Sequence, residues 1–228
     1  MKGVSAVVAE FIGTFFLCFA GIGAILSATT VVGGGGGLVA IALAHGLALS
    51  IAVNAFGGVS GAHFNPAVTI AMLSTGRIPA ANALIYIGAQ CAGATTAALI
   101  CRAVFPAAAV AEAHLGIPLP AAWVTTGTLV LVEFVLTFLL IIAIFGTAVD
   151  ERGKAVKIGG FGVGLTVTFD ILAGGPITGA SMNPARSFGP ALVQGDWTWH
   201  AFYWIAPIAG AVVGALLYQN VILDKKSK

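Results

Sequence analysis

Six long apolar stretches, separated by short polar connections, organise this chain near residues 5–27, 38–57, 81–103, 124–148, 158–177 and 200–222. A helix of about 20 apolar residues crosses a hydrocarbon core of roughly 30 Å, so each stretch predicts a membrane-spanning helix. Two further apolar segments, Pro66 to Ser74 and Pro184 to Leu192, are only nine residues long. At 1.5 Å rise per residue each would cover roughly 14 Å, about half the core. Each is introduced by Asn and then Pro. Pro suits the first helical position, where its missing N–H would be unpaired anyway, and Asn is a good N-cap. The pattern predicts two half-helices that enter a membrane without crossing it. The irregular backbone leading into them is tolerated at that depth only where it packs on protein or lines water.

The pattern is also duplicated. Asn65–Pro66–Ala67 follows Gly61-Ala62-His63-Phe64, and Asn183–Pro184–Ala185 follows Gly179-Ala180-Ser181-Met182, with Gly46 and Gly164 at the same distance upstream. Ala9-Glu10-Phe11 with Thr14-Phe15 recurs as Val132-Glu133-Phe134 with Thr137-Phe138. Tyr86 and Ala92-Gly93-Ala94 recur as Tyr203 and Ala209-Gly210-Ala211. A single domain over 1–228 follows, with one repeat over about 1–110 and a second over about 124–222. Three spans per repeat is an odd number, so the second repeat sits inverted, as in many transport proteins. The fold class is therefore an all-α membrane protein with six transmembrane helices and two re-entrant half-helices. Inversion makes the half-helix N-termini meet near the midplane, where Asn65 and Asn183 direct amide donors at one spot. Two positive helix ends there disfavour cations. Were the Asn residues only caps, the duplication with inverted topology would have no explanation.

Composition and charge sharpen this picture. Hydrophobic residues are 59% and charged residues 8% of the chain, and mean hydropathy is +1.04, whereas a soluble domain carries about 25% charged residues. Lys2, Arg77, Arg152, Lys154, Lys157, Lys225, Lys226 and Lys228 fall on one side of the predicted spans and Arg102 on the other. That bias orients both termini toward the cytoplasm. The first apolar run leads directly into a full span, which does not read as a cleavable signal. Cys18, Cys91 and Cys101 lack metal or redox spacing and read as small buried hydrophobes. The glycine run Gly33–Gly37 lacks the setting of a phosphate loop and reads as a connector. No metal cluster, nucleophile–base pair or nucleotide loop stands out, so neither an enzyme, a cofactor nor a nucleic-acid partner is expected.

The segments Ser60-Gly61-Ala62-His63-Phe64-Asn65-Pro66-Ala67-Val68-Thr69 and Asn183-Pro184-Ala185-Arg186-Ser187-Phe188-Gly189-Pro190 resemble the two signatures of the major intrinsic protein (aquaporin) family. The resemblance extends over essentially the whole chain. It implies a homotetramer with one pore per subunit and an outer selectivity filter at His45, Ile171, Ala180 and Arg186. That set, with Ile171-Leu172-Ala173-Gly174-Gly175-Pro176, is similar to the tonoplast intrinsic proteins. Strict water channels of the family place an aromatic residue first and His second, so His followed by Ile implies a wider, less polar filter. The implied function is a passive water channel that also admits ammonia or hydrogen peroxide and excludes protons and ions. The alternatives are a channel mainly for glycerol or urea and, more remotely, a coupled secondary transporter. Glycerol is disfavoured because Ser187 stands where glycerol-type members carry Asp. The resemblance further implies that the carbonyls of Gly61, Ala62, His63 and Phe64 and of Gly179, Ala180, Ser181 and Met182 line the pore. It casts Glu10 and Glu133 as braces of the re-entrant loops.

Three residues fit less simply. His63 reads as lining the cytoplasmic vestibule. Asp170 is expected to accept bonds from turns around Gly174–Gly175 or from a loop residue. His114 reads as a solvated surface residue, with a reach to Arg186 as the alternative. The expected location is a cell membrane, with a vacuole-type membrane as the second possibility.

Overall fold

The computed structural model describes residues 2–31, 36–156 and 158–223. Gly33–Gly35, Lys157, Lys225, Lys226, Lys228 and the side chain of Lys2, all used in the reading above, lie outside the described residues. The elements are helices: α1 (Lys2–Thr30), α2 (Gly37–Ser60), α3 (Pro66–Ser74), α4 (Ala80–Val104), α5 (Ala107–Glu112), α6 (Thr126–Ile144), α7 (Glu151–Lys154), α8 (Gly159–Thr178), α9 (Pro184–Gln194) and α10 (Phe202–Leu217). Helices α6 and α10 continue as single π-helical turns, Phe145–Val149 and Tyr218–Ile222. With those turns included, α1, α2, α4, α6, α8 and α10 are long and apolar enough to cross a membrane. α3 and α9 are the two short elements between them. α9 runs two residues past Leu192, to where Gly195 adopts a left-handed conformation that closes the helix.

Helices approach one another where a side chain is missing. A β-carbon on Gly46 would lie 2.5 Å from the Gly164 carbonyl oxygen, and one on Gly164 would lie 2.1 Å from that of Gly46. These paired glycines bring α2 and α8 together backbone to backbone at the pseudo-twofold axis. Gly93 of α4 meets the Phe11 carbonyl of α1, and Gly210 of α10 meets the Phe134 carbonyl of α6, in matching geometry. Small residues at close crossings are the general device of membrane helices, which gain little from apolar burial alone.

The half-helices interlock the two repeats. α3 packs on α10, and α9 packs on α4, so each rests on the last long helix of the other repeat. Ala67, Val68, Ala71 and Met72 share a buried cluster with Ala211, Ala215 and Tyr218. Ala185 does the same with Cys18, Ala94, Ala97 and Cys101. All three cysteines are free thiols.

Candidate functional site

Asn65 and Asn183 are the N-caps of α3 and α9. Asn65 Oδ1 accepts from the Ala67 N–H (2.8 Å), and Asn183 Oδ1 accepts from Ala185 (3.0 Å) and Arg186 (3.3 Å). Each side-chain amide also reaches across the axis: Asn65 Nδ2 donates to the Met182 carbonyl (2.8 Å), and Asn183 Nδ2 donates to that of Phe64 (2.9 Å). An amide nitrogen carries two N–H groups. One is thus spent tying the half-helices tip to tip, and one remains. The innermost carbonyls of the two implied acceptor rows, Phe64 and Met182, serve as cross-ties.

The segments before the caps have an unusual backbone. Ala62, Phe64, Ala180 and Met182 all have positive φ, between 45° and 53°, a conformation that is strained for non-glycine residues. Two buried glutamates hold it. Glu10 accepts from the backbone N–H of His63 (3.0 Å) and Phe64 (2.7 Å) and from the Ser60 hydroxyl (2.6 Å). Glu133 accepts from Ser181 (2.9 Å), Met182 (2.8 Å) and the Thr178 hydroxyl (2.7 Å). These charge-assisted bonds fix the alternate carbonyls in place. The first repeat adds Gln90, whose Nε2 donates to Glu10 (2.7 Å) and to Thr69 Oγ1 (2.9 Å). Tyr86 donates to the Ser60 carbonyl and Tyr203 to that of Thr178.

Ser60, Thr178, Thr69, Gln90 and the two tyrosine hydroxyls are parts of this framework that sequence reasoning assigned no role. The signal was present for most of them. Ser60 and Thr178, like Thr69 and Ser187, stand in the same register as the two asparagines, so shared hydroxyls at matched repeat positions could have been picked out. Gln90 has no such marker, because its counterpart on α10 is Pro207.

A narrow cavity runs past both caps. One wall is polar, formed by residues 62–65 and 180–183, and the facing wall is aliphatic, with Leu49, Val167, Leu140 and Val163. His63 lines it. The Thr69 hydroxyl donates its single proton to the Asn65 carbonyl (3.0 Å), so it can only accept from His63 Nδ1 (3.1 Å). The neutral imidazole therefore offers Nε2 as an acceptor. Gly61 is not among the lining residues and instead closes α2, donating its N–H to the Gly57 carbonyl.

A second cavity is lined by Ile41, Ile117 and Gly179, and it shares His45, Ile171 and Arg186 with the first. These three residues therefore stand where the two spaces adjoin, and Ala180 lines the first alone. Among the described residues lining both cavities, Arg186 is the one formal charge, histidines aside. Its Nη1 donates to the Gly116 carbonyl (2.8 Å). Gly116 belongs to a 3₁₀ turn, His114–Gly116, in which all three residues have positive φ and Leu115 is fully buried against α1 and α4. His114 itself is exposed, so the loop between α5 and α6 meets Arg186 through a backbone oxygen rather than through this imidazole. His45 Nδ1 donates to the Ile41 carbonyl (2.8 Å), which leaves Nε2 as the acceptor of the neutral ring.

Asp170 differs from both expectations. Helix α8 runs unbroken through Gly174 and Gly175, so there is no turn there to cap. Both carboxyl oxygens are buried and have no hydrogen-bond partner among the described residues. His, Cys, Asp and Glu form no group of three that could hold a metal ion among the described residues.

Comparison with known proteins adds an independent line. The family model described as "Major intrinsic protein" matches residues 1–218. Aquaporin TIP4-4 of Zea mays is 45% identical over 226 residues, covering 96% of this chain and 87% of that protein. Probable aquaporin TIP3-2 of Arabidopsis thaliana is 43% identical, covering 96% and 84%. The X-ray structure of the aquaglyceroporin from Plasmodium falciparum superposes with a TM-score of 0.86 at 26% identity, covering 96% of this chain and 97% of that one.

Proposed function

Since the chain belongs to the major intrinsic protein family of membrane channels, we propose that it is a passive water channel whose widened His45–Ile171–Ala180–Arg186 filter also admits ammonia or hydrogen peroxide and excludes ions and protons. The observation that carries this reading is the tip-to-tip meeting of α3 and α9, each capped by an Asn that keeps one amide N–H free. A water oxygen at that point accepts from Asn65 and Asn183 and turns its hydrogens outward, toward the carbonyls on either side. Neighbouring waters are then polarised in opposite directions, and no continuous proton wire forms. The two positive helix ends and Arg186 raise the energy of any cation there. Aquaporin-type pores in general select by these same means: diameter, lining donors and acceptors, and fixed positive ends.

At the filter, Arg186 offers fixed donors, while the His45 ring, Ile171 and Ala180 offer largely apolar surface. Ammonia needs one donor or acceptor contact and little polar lining, so an aliphatic second position favours it relative to a second imidazole. Glu10 and Glu133 act as braces of the strained loops. The TIP-type relatives weigh toward a vacuole-type membrane over a cell membrane as host, and the family implies a homotetramer.

Stopped-flow measurements on proteoliposomes test the reading, run in parallel for water, ammonia and glycerol. Water and ammonia permeabilities should exceed those of protein-free vesicles, with glycerol close to them. Permeability no greater than that of protein-free vesicles for all three would refute the channel. Ile171→His combined with His45→Phe should cut ammonia flux and spare water; unchanged ammonia flux would refute the broadened filter alone. The glycerol arm decides the glycerol or urea alternative, to which the structural similarity to an aquaglyceroporin lends support. Uptake abolished by an uncoupler would favour a coupled transporter instead.

A further inference from the structure

The position of the His45 ring is set from α1. A β-carbon on Gly21 would lie 2.1 Å from His45 Nε2 and 2.5 Å from both Cδ2 and Cε1. The outer edge of the imidazole thus fills the space that a side chain at position 21 would occupy. Gly21 is buried in the interior of a 29-residue helix, where glycine costs helix stability relative to alanine. Gly13, two turns earlier on the same face, makes the same concession: its β-carbon would lie 2.1 to 2.4 Å from the Phe64 ring. Leu17 stands between them and lines the cavity. The stripe Gly13–Leu17–Gly21 is therefore the pore-facing side of α1.

In the second repeat the sizes are exchanged. The counterparts of Gly13, Leu17 and Gly21 on α6 are Leu136, Leu140 and Ile144, while those of Phe64 and His45 are Met182 and Val163. The imidazole fits the first repeat only because α1 gives up a side chain. With Nδ1 anchored to the Ile41 carbonyl, a ring displaced from this notch has the cavity as its free side.

We propose that Gly21 determines the specificity of the outer constriction by holding the His45 imidazole back against α1, which sets the opening between His45, Ile171 and Arg186 wide enough for ammonia beside water. Gly21 is a positioning residue acting through His45, and the inference rests on the channel reading above.

The test compares Gly21→Ala, His45→Ala and the double variant with the wild type, for water and ammonia in proteoliposomes. Gly21→Ala should lower the ammonia-to-water ratio by about tenfold, the discrimination that one added methyl can command in a tight site. In the His45→Ala background the same change should leave the ratio where His45→Ala puts it. If Gly21→Ala does not fold, recovery of a monodisperse, conducting double variant supports the notch. A wild-type ratio in Gly21→Ala, an equal drop in both backgrounds, or a double variant that also fails to fold overturns the proposal. A wild type that conducts neither solute refutes the channel reading instead.

Discussion

At the residue scale, two buried carboxyls illustrate opposite solutions. Glu133 accepts three hydrogen bonds, two from strained backbone and one from a hydroxyl. Glu133→Gln keeps an oxygen for Thr178 and Ser181 but turns an amide N–H₂ toward the Met182 N–H, donor against donor. Breaking such a buried charged network typically costs about 3 kcal/mol or more. The variant should melt well below the wild type in detergent, with flux reduced in whatever protein survives. Asp170 has no bonds to lose among the described residues. A buried charge without partners is costly, and Asp170→Asn removes the possibility of charge with almost no change in shape. Its melting temperature should equal or exceed that of the wild type. A clear loss of stability would mean that the acid makes a contact that an amide cannot replace.

The element scale is where the sequence was most and least legible. The six spans lie within a few residues of expectation, because the thickness of the hydrocarbon core, not local propensity, sets their length. The start of each half-helix was legible for a similar reason: Asn at the cap and Pro next have one natural use. The end of α9 was not, since either Leu192 or Gln194 could precede a turn and only Gly195 at positive φ decides it. The loop between α5 and α6 hid more. Its contact with Arg186 is a backbone carbonyl, and carbonyls carry no sequence mark. The imidazole two residues earlier is exposed, as the surface reading of His114 expected, and does not make that contact. The close crossing of α2 and α8 was half legible, as matched glycines whose contact only the structure reveals. A methyl at position 164 would lie 2.1 Å from the Gly46 carbonyl and 2.0 Å from Ser50 Oγ, and backbone cannot yield as a flexible side chain can. Overpacking of this kind typically costs about 1–3 kcal/mol. Gly164→Ala should therefore lower the melting temperature, while Gly88→Ala, which meets nothing within 4 Å on α4, should not.

At the scale of the whole molecule, the repeats are tied at the membrane centre by the crossed asparagines and again where they join. Asp150 begins the joint, caps α7, accepts from Arg152 Nε (3.0 Å) and Tyr218 Oη (3.2 Å), and is almost fully buried. Arg152 donates in turn to the Ile222 carbonyl (2.9 Å). Arg77, from the loop after α3, bonds Gln219 and lies 4.9 Å from the Phe145 ring centroid. One cluster thus gathers the end of the first half-helix, the joint and the end of α10. The hydrogen bond from Arg152 holds the Asp150 carboxyl well below its usual range, at about 2. The sign follows from linkage: a carboxyl that is more acidic in the folded state stabilises fully above its unfolded value near 3.8, and loses that contribution as pH falls toward 2. This joint should therefore hold unchanged from pH 8 to pH 5 and weaken only below about pH 4. Melting curves of the wild type and Asp150→Asn test this. The variant should melt lower at pH 7, and the gap should close as pH approaches 2. Because Asp150 lines neither cavity, water permeability of the folded variant at pH 7 should match the wild type. A gap that persists at pH 2 would show that packing, rather than the ionised carboxylate, holds the repeats together at this end.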